Sequence, residues 1–353
     1  MKKALTILLA VTLILVICVS VDFAKGPKLN KARRPAIPTG ADRVVELQRT
    51  EAEWEGTWFW YVGSTYNATN LTGATALGLL EAYRDTKDST YLASCIDAAN
   101  FIMTHLGVWA TGTQHYPRPT AFDIVFLHHL SGATGDPQYA ARATLEWDNI
   151  TLTYPTAGSL DALFRAISRR SAWDFAYFLE AAHLSGDTTW AADAAAFLAD
   201  TSDTFYYSDL TGWYALNLSG AIKALVGCGY GDLYYDAVVE HLYNLIAVSD
   251  KDNGVDGWIQ DTAYAVLAFK TVGGAATAYA NNLAKWIALQ QEENGGWIEA
   301  GDEYPEINGE ALRALSATIG TNVTLFKLKG NIKMNSSWRR AKYPNSAGPF
   351  SGK

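Results

Sequence analysis

Acidic and aromatic side chains occur together where the apolar segments of this sequence begin. The acids at or near these positions are Asp123, Asp174, Asp256, Asp261, Glu299, Glu303, Glu306 and Glu310, and we take Asp123, Asp174, Asp261 and Glu310 as the catalytic candidates. Two opposed carboxyl groups, one protonated and one ionised, are what hydrolysis of a glycosidic bond requires. The aromatic rings beside the acids are those of Trp58, Trp213, Trp258, Trp297 and Tyr304. Flat rings pack against the apolar faces of sugars, so the pattern predicts a carbohydrate ligand, with the acids as catalytic candidates.

A structural role is the alternative for each of these residues. Acids in the first turn of a helix are stabilised by the helix macrodipole, and Asp is a common N-cap. Tryptophan in a Gly-Trp turn can pack between neighbouring helices rather than face a ligand. The sequence leaves both roles open.

A second acidic group contains Asp250, Asp252 and Asp256, which offer the oxygen ligands that Ca²⁺ prefers. The spacing departs from an EF-hand loop, because Val255 stands where that loop needs glycine. A solvated acidic turn is the alternative. No other cofactor is expected.

The candidate residues must be positioned by helices, because small apolar segments and amphipathic segments alternate with a period of roughly 45 residues. Glycine or Gly-Asp marks each reversal. The apolar segments start at Gly73, Ala121, Ala172, Gly212, Gly257 and Ile307. Six such helices, each with an outer partner, predict an all-α (α/α)6 toroid whose turns meet at one mouth. Asp42–Trp54 would supply the sixth outer helix, Gly158 begins an extra helix, and a short β-hairpin is expected after Thr324.

One stretch, KWIALQQEENGGW from Lys285 to Trp297, resembles the Gln-Trp repeat of terpenoid cyclase and protein prenyltransferase toroids. Gln291, Gly295 and Trp297 hold the places of that motif. The resemblance implies an outer helix that ends in Gln and a loop that leads into the next inner helix. The catalytic Asp-x-Asp-Asp motif and the zinc ligands of those families are missing. The same helical layout is also similar to six-hairpin glycosidases and polysaccharide lyases.

The N-terminal residues predict export. Lys2 and Lys3 precede an uncharged apolar run from Ala4 to Val21, which is typical of a secretory signal peptide and long enough for a retained anchor. We therefore divide the chain into a signal peptide (1–24), a basic linker (25–43), the toroid (44–325) and a basic tail (326–353). A secreted or cell-surface location follows. Glycosylation sequons occur at Asn67, Asn70, Asn149, Asn217, Asn322 and Asn335.

Composition and charge exclude several classes of protein and of ligand. With 353 residues, 49% of them hydrophobic, the chain is neither disordered nor a disulfide-stapled miniprotein. Residues 44–310 hold twelve Lys/Arg and thirty-four Asp/Glu, a net charge of −22, which disfavours nucleic acid. The basic ends could contact an anionic surface or neighbouring subunits. Two classes stay open: a glycoside hydrolase that acts on neutral carbohydrate, and a non-catalytic surface or assembly protein.

Overall fold

The computed structural model describes residues 26–64, 71–105, 118–169, 171–208 and 212–319. These residues form thirteen α-helices: α1 Gly26–Glu46, α2 Thr72–Thr86, α3 Ser89–His105, α4 Arg118–Thr134, α5 Pro137–Thr153, α6 Ala157–Ala166, α7 Ala172–Leu184, α8 Thr188–Leu198, α9 Tyr214–Gly227, α10 Tyr235–Val248, α11 Ile259–Val272, α12 Thr277–Leu289 and α13 Pro305–Ile319. Two short antiparallel hairpins accompany them, β1 Ser249–Asp250 with β2 Gly254–Val255, and β3 Ile298–Glu299 with β4 Asp302–Glu303.

The six apolar helices form a closed inner ring. Helices α2, α4, α7, α9, α11 and α13 each pack against the next, and α13 packs against α2. Every residue of α13 from Pro305 to Ser316 is buried, as expected for a helix covered on all sides. Because the last inner helix contacts the first, the array closes, and the predicted (α/α)6 toroid is confirmed.

An outer layer surrounds this ring. Helices α3, α5, α8, α10 and α12 each pack against the inner helix that precedes them. Their burial follows one stripe, as in α5, which buries Tyr139, Ala143, Trp147 and Ile150. At the reversals before α5 and α8, Gly135 and Gly186 have positive φ, and Asp136 and Asp187 cap the following helix. The extra helix predicted from Gly158 is α6, which packs against α8.

The sixth outer helix lies earlier in the chain than the sequence predicts. It is α1, which packs against α12 and α13 and ends at Glu46, whereas residues 47–54 lie in turns and irregular backbone. Residues 26–43, predicted as a basic linker, are therefore helical. The helix contains Pro35 and Pro38, which lack a backbone donor and normally interrupt helices. Because of these prolines, the sequence pattern does not predict α1.

The Gln-Trp motif packs α1 onto the ring. Gln291 Nε2 donates to the carbonyl oxygens of Ala36 in α1 and Gly295, both at 2.9 Å. Trp297 is fully buried, and its Nε1 donates to the carbonyl of Ile287 in α12. The motif therefore joins the outer layer to the chain that enters α13.

Several predictions concern residues that lie outside the described ranges. They are the signal peptide, the hairpin after Thr324, the basic tail, and the sequons at Asn67, Asn70, Asn322 and Asn335. Among the helices that are described, none is both long and apolar enough to cross a membrane.

Glycine permits the contact that closes the ring. A Cβ on Gly78 of α2 would lie 1.9 Å from the carbonyl oxygen of Gly309 in α13. A Cβ on Gly309 would in turn lie 2.7 Å from the Cα of Thr75. The two backbones approach more closely than any side chain allows, so the closure of the ring depends on these positions.

We expect Gly78→Ala to lower the free energy of unfolding by about 1–3 kcal/mol, because the added methyl group forces α2 and α13 apart. Urea denaturation followed by helical circular dichroism measures the change. The matched control is Gly132→Ala in α4, where a Cβ would meet no atom within 4 Å. That variant should be neutral or gain up to about 1 kcal/mol from helix propensity. Equal effects of the two substitutions would contradict the close approach.

Candidate functional site

The inner helices all begin at one end of the toroid, because each outer helix returns the chain before the next inner helix starts. The loops into α2, α4, α7 and α9 contain residues 65–70, 106–117, 170 and 209–211, which lie outside the described ranges. The candidate site is therefore built from the segments leading into α11 and α13, together with the first turns of these helices.

Gln260 donates hydrogen bonds to two carboxyl groups at this end of the toroid. Its backbone N–H donates to Glu299 Oε2 at 3.0 Å, and its side-chain Nε2 donates to Glu310 Oε2 at 2.9 Å. The first turn of α11 presents Gln260, strand β3 presents Glu299, and the second turn of α13 presents Glu310. Both carboxyls are buried. Three separate chain segments are thus joined through one residue.

Burial makes these carboxyl groups hold their protons. It raises the pKa of Glu299 to about 7, although the backbone N–H groups of Gln260 and Ile259 oppose the change. Burial and the charge of Glu306 raise the pKa of Glu310 well above its ordinary value, against hydrogen bonds from Gln260 and Tyr264. A carboxyl that keeps its proton near neutral pH can act as a general acid.

Asp261 belongs to the same cluster. Burial, followed by the charges of Glu299 and Asp256, raises the pKa of Asp261 well above its ordinary value. Like charges in one site cannot all ionise, so some members of the cluster keep protons while others lose them. Proton donor and proton acceptor can therefore coexist here at one pH.

Aromatic and polar side chains lie inside the ring beside these acids. The hydroxyl groups of Tyr177 and Tyr264 lie 2.8 Å apart, and Arg313 Nη1 donates to the Tyr177 hydroxyl at 2.9 Å. The Trp173 ring lies 5.1 Å from the ring of Tyr264, edge to face. Phenol and guanidinium donors are thus held rigidly next to the carboxyl cluster.

Two of the four predicted catalytic acids have structural partners. Asp123 is buried, and its Oδ1 accepts the backbone N–H of Gly73 at 3.0 Å, at the start of α2. Asp174 is paired with Arg169, whose Nη2 lies 2.6 Å from Asp174 Oδ2. Neither residue has a contact with the Gln260 cluster among the described interactions. Asp261 and Glu310 instead each interact with the charge of Glu299, so both belong to the cluster around the first turn of α11.

Glu303, in strand β4, also has a structural partner. Its two oxygens accept hydrogen bonds from Arg43 Nε and Nη2 at 3.0 and 2.8 Å, and Asn308 Nδ2 donates to Oε1. Burial opposes ionisation, but Arg43 and Asn308 lower the pKa of Glu303. This bidentate ion pair ties α1 to the β3–β4 hairpin.

The five predicted sugar-stacking rings fall into two groups. Trp58 and Trp297 are fully buried, and their indole N–H groups donate to the carbonyls of Val44 and Ile287 at 2.8 Å. Neither ring has a face open to a ligand, so the prediction does not fit these two residues. The other three rings, those of Trp213, Trp258 and Tyr304, are half-buried beside the first residues of inner helices. For these three, sugar stacking stays a prediction.

The predicted calcium ligands lie around the β1–β2 hairpin. Asp250 Oδ1 accepts the backbone N–H of Asp252 at 2.8 Å, and Asp252 pairs with Lys251. Asp250, Asp252 and Asp256 are exposed. Across the described ranges, no group of three or more His, Cys, Asp or Glu side chains is arranged to hold a metal ion. The calcium site stays a prediction without structural support.

Two predicted glycosylation sites can be located. Asn149, in α5, is exposed. Asn217, in α9, is completely buried, with Oδ1 accepting the backbone N–H of Trp173 and Nδ2 donating to the carbonyl of Tyr206. The prediction at Asn217 is therefore wrong, because its amide joins α9 to α7 and cannot be reached by a glycosyltransferase in the folded chain.

The sequence did not single out Gln260, Tyr264, Tyr177 or Arg313. A signal was present in α13, where Glu306, Glu310 and Arg313 are spaced four and three residues apart. That spacing places three charged side chains on one face of an otherwise apolar helix. Gln260 and Tyr264 show the same four-residue spacing in α11.

No family model matches the sequence, and no curated protein matches it. Solved structures of carbohydrate-active enzymes match the fold. An α-1,6-mannanase from Salegentibacter sp. HEL1_6 aligns over 81% of this chain and 98% of its own, at 13% identity and a TM-score of 0.55. An unsaturated glucuronyl hydrolase specific for heparin aligns over 82% and 96%, at 13% identity and 0.60. A sugar epimerase from a ruminal bacterium aligns over 84% and 100%, at 13% identity and 0.59.

The chain has a six-hairpin glycosidase-like fold. Identities this low show the fold alone, so the chemistry has to be argued from this chain's own residues.

The raised pKa of Glu299 makes stability depend on pH. The native carboxyl keeps its proton up to about pH 7, whereas the unfolded one loses it near 4.5. Between these values the native state binds more protons, so stability falls as pH rises. We expect Glu299→Gln to remove this loss and to become more stable relative to wild type across that window, by at most about 3 kcal/mol.

Urea denaturation at a series of pH values provides the measurement. Glu293→Gln, at an exposed position in the turn before β3, is the matched control and should follow the wild-type profile. If the Glu299→Gln profile also runs parallel to wild type, Glu299 is not a buried proton-holding group.

Proposed function

We propose that this chain is a carbohydrate-processing enzyme that cleaves glycosidic bonds by general acid–base catalysis at the α11–α13 end of its toroid. The observation that carries the proposal is the pairing of Glu299 and Glu310 through Gln260, at the end of the ring where all inner helices begin. A buried carboxyl pair with raised pKa values supports proton transfer, and neither carboxyl is neutralised by an Arg or Lys partner in the described interactions.

The two carboxyls take different roles in this proposal. Glu310, whose pKa is raised by burial and by the charge of Glu306, donates the proton to the departing glycosidic oxygen. Glu299, with a pKa of about 7, is the group that loses its proton most readily and acts as the base or nucleophile. The charge of Glu299 raises the pKa of Asp261, so Asp261 keeps its proton when Glu299 is ionised.

Neutral sugars fit the surroundings of this pair. The three half-buried rings of Trp213, Trp258 and Tyr304 are suited to pack against sugar faces. The net charge of −22 over residues 44–310 repels acidic polysaccharides. Sugar hydroxyl groups can donate hydrogen bonds to the carboxylates of the site without meeting a like charge.

We also propose that the enzyme acts outside the cytoplasm, as a secreted or cell-surface protein. The Lys2–Lys3 pair and the apolar run that follows support this location. Of the six sequons, Asn149 is the described residue with an exposed acceptor. Contact of the basic ends with an anionic surface would involve residues 25–43 and 326–353, but not Arg313, which is buried inside the ring.

Purified protein should hydrolyse at least one neutral glycan in a panel that contains α-1,6-manno-oligosaccharides, cello-oligosaccharides and xylo-oligosaccharides. We expect Glu310→Gln and Glu299→Gln each to lower turnover by about 10²-fold or more, because each removes a proton-transferring group. Reducing-sugar release measures turnover, and far-ultraviolet circular dichroism verifies that the helices remain. Asp252→Asn, at an exposed residue of the β1–β2 hairpin, is the control and should keep wild-type activity. Full activity of both glutamine variants would exclude the proposed pair, and a wild type inactive on every glycan would favour the non-catalytic class.

A further inference from the structure

A loop rich in aromatic residues borders the proposed catalytic cluster. It comprises residues 54–63, with the sequence WEGTWFWYVG, and we refer to it as the aromatic loop. Trp58 anchors its centre through the hydrogen bond to Val44 in α1. The backbone N–H of Val62 donates to the carbonyl of Glu303 at 2.9 Å, which fixes the end of the loop against β4. The loop is thus held by the scaffold at both points.

The rings of this loop reach the segment that carries the acids. Trp60 and Tyr61 each contact Tyr304 edge to face, with ring centroids 6.2 and 6.1 Å apart. Tyr304 directly precedes α13, and Glu310 follows six residues later, about 9 Å along the helix axis. Trp60, Tyr61 and Tyr304 are all half-buried, so part of each ring surface remains accessible. Aromatic surface therefore continues outward from the carboxyl pair.

A cleft of about 270 Å³ lies between the aromatic loop and the segment of residues 46–51 at the end of α1. Phe59, Val62 and Pro305 form its apolar side, and Thr50 lines its polar side with Glu46 and Glu51. A mixed lining of this kind matches a sugar ring, which has apolar faces and a hydroxylated edge.

The charges around the cleft favour a neutral occupant. Arg49 lies with its guanidinium carbon 4.1 Å from the Phe59 ring centroid and 5.2 Å from that of Trp54, and its Nε lies 3.3 Å from Glu51 Oε2. Its positive charge is thus engaged by the rings and a carboxylate. Glu51 is the carboxylate that pairs with Arg49, and Glu46 pairs with Arg43 at 2.7 Å, so the charges that line the cleft compensate one another and leave no cation to attract an anionic ligand.

We propose that the aromatic loop and this cleft form a sugar-binding subsite that takes a neutral pyranose unit beyond the bond cleaved at the Gln260 cluster. The substrate is then an oligosaccharide or polysaccharide chain rather than a small glycoside. This inference rests on the proposed function, because it extends the same site. It adds two properties of the substrate to that proposal: the substrate is a chain of several sugar units, and it is uncharged.

The test measures binding against chain length. Isothermal titration of the Glu310→Gln variant with manno-, cello- and xylo-oligosaccharides, from disaccharide to hexasaccharide, gives affinities without turnover. We expect the affinity for one of these series to rise about tenfold or more with length, as an added aromatic contact provides, and oligogalacturonides to bind more weakly at every length. Trp60→Ala in the same background should remove most of the gain, and Trp60→Phe, which keeps a ring, should retain most of it.

Tyr243→Ala is the control, because Tyr243 is an exposed aromatic residue on the outer helix α10. It should leave the length dependence unchanged. Tyr61→Ala provides a second test of the same loop if Trp60→Ala loses its helical circular dichroism signal. Affinity that does not grow with length, or growth that survives both Trp60→Ala and Tyr61→Ala, would overturn the subsite.

The outcomes separate this inference from the proposed function. Hydrolysis without length dependence would retain the catalytic pair and reject the subsite. Length-dependent binding without hydrolysis by the wild-type protein would retain the subsite and reject the enzyme. Absence of both binding and hydrolysis across the panel would reject both.

Discussion

The contact between α2 and α13 is the constraint on which the rest of the structure depends. Gly78 and Gly309 let the two backbones meet without intervening side chains, and this meeting turns a row of helical hairpins into a ring. Without closure, α2 and α13 would be the two exposed ends of an open array. With it, the segments before the inner helices face a common rim, and the buried face of α13 that carries Glu306, Glu310 and Arg313 is enclosed. The closed helix packing and the carboxyl cluster both depend on this close contact between α2 and α13.

The sequence predicts the helices well because the toroid repeats a simple physical pattern. Inner helices need apolar residues on every side, and outer helices need one apolar stripe, so periodicity and Gly-Asp reversals locate both kinds. The sequence pattern does not predict α1, and the cause is local. Pro35 and Pro38 disfavour a helix by their backbone chemistry, and packing of α1 against α12 and α13 overrides that preference. The pattern of a short stretch of sequence does not reveal tertiary contacts of this kind.

The candidate site was only partly predictable for a related reason. Asp123, Asp174, Asp261 and Glu310 look alike in the sequence, since each lies near the start of an apolar helix. Their roles are decided by partners that come from elsewhere in the chain. Arg169 pairs with the carboxylate of Asp174. Asp123 and Glu310 have no such cation among the described interactions, and burial raises the pKa of both, although Gly73 donates to Asp123 and Gln260 to Glu310. Which acid is neutralised and which holds a proton is a property of the assembled ring.

Buried glutamates at two places in the ring show how strongly partners control their chemistry. Burial would raise the pKa of Glu180, but Lys223, His129 and Arg313 lower it below the ordinary value, and Lys223 forms an ion pair with it. Glu310 shares the burial and faces Glu306 instead of a cation, so its pKa rises. Arg313 links the two surroundings, since it contributes to the ionisation of Glu180 and donates to Tyr177, which meets Tyr264 beside Glu310. Cations are therefore concentrated around Glu180, whereas no Arg or Lys pairs with Glu299 or Glu310 among the described interactions. An inner ring with its cations spread evenly would ionise both glutamates and leave no proton to donate.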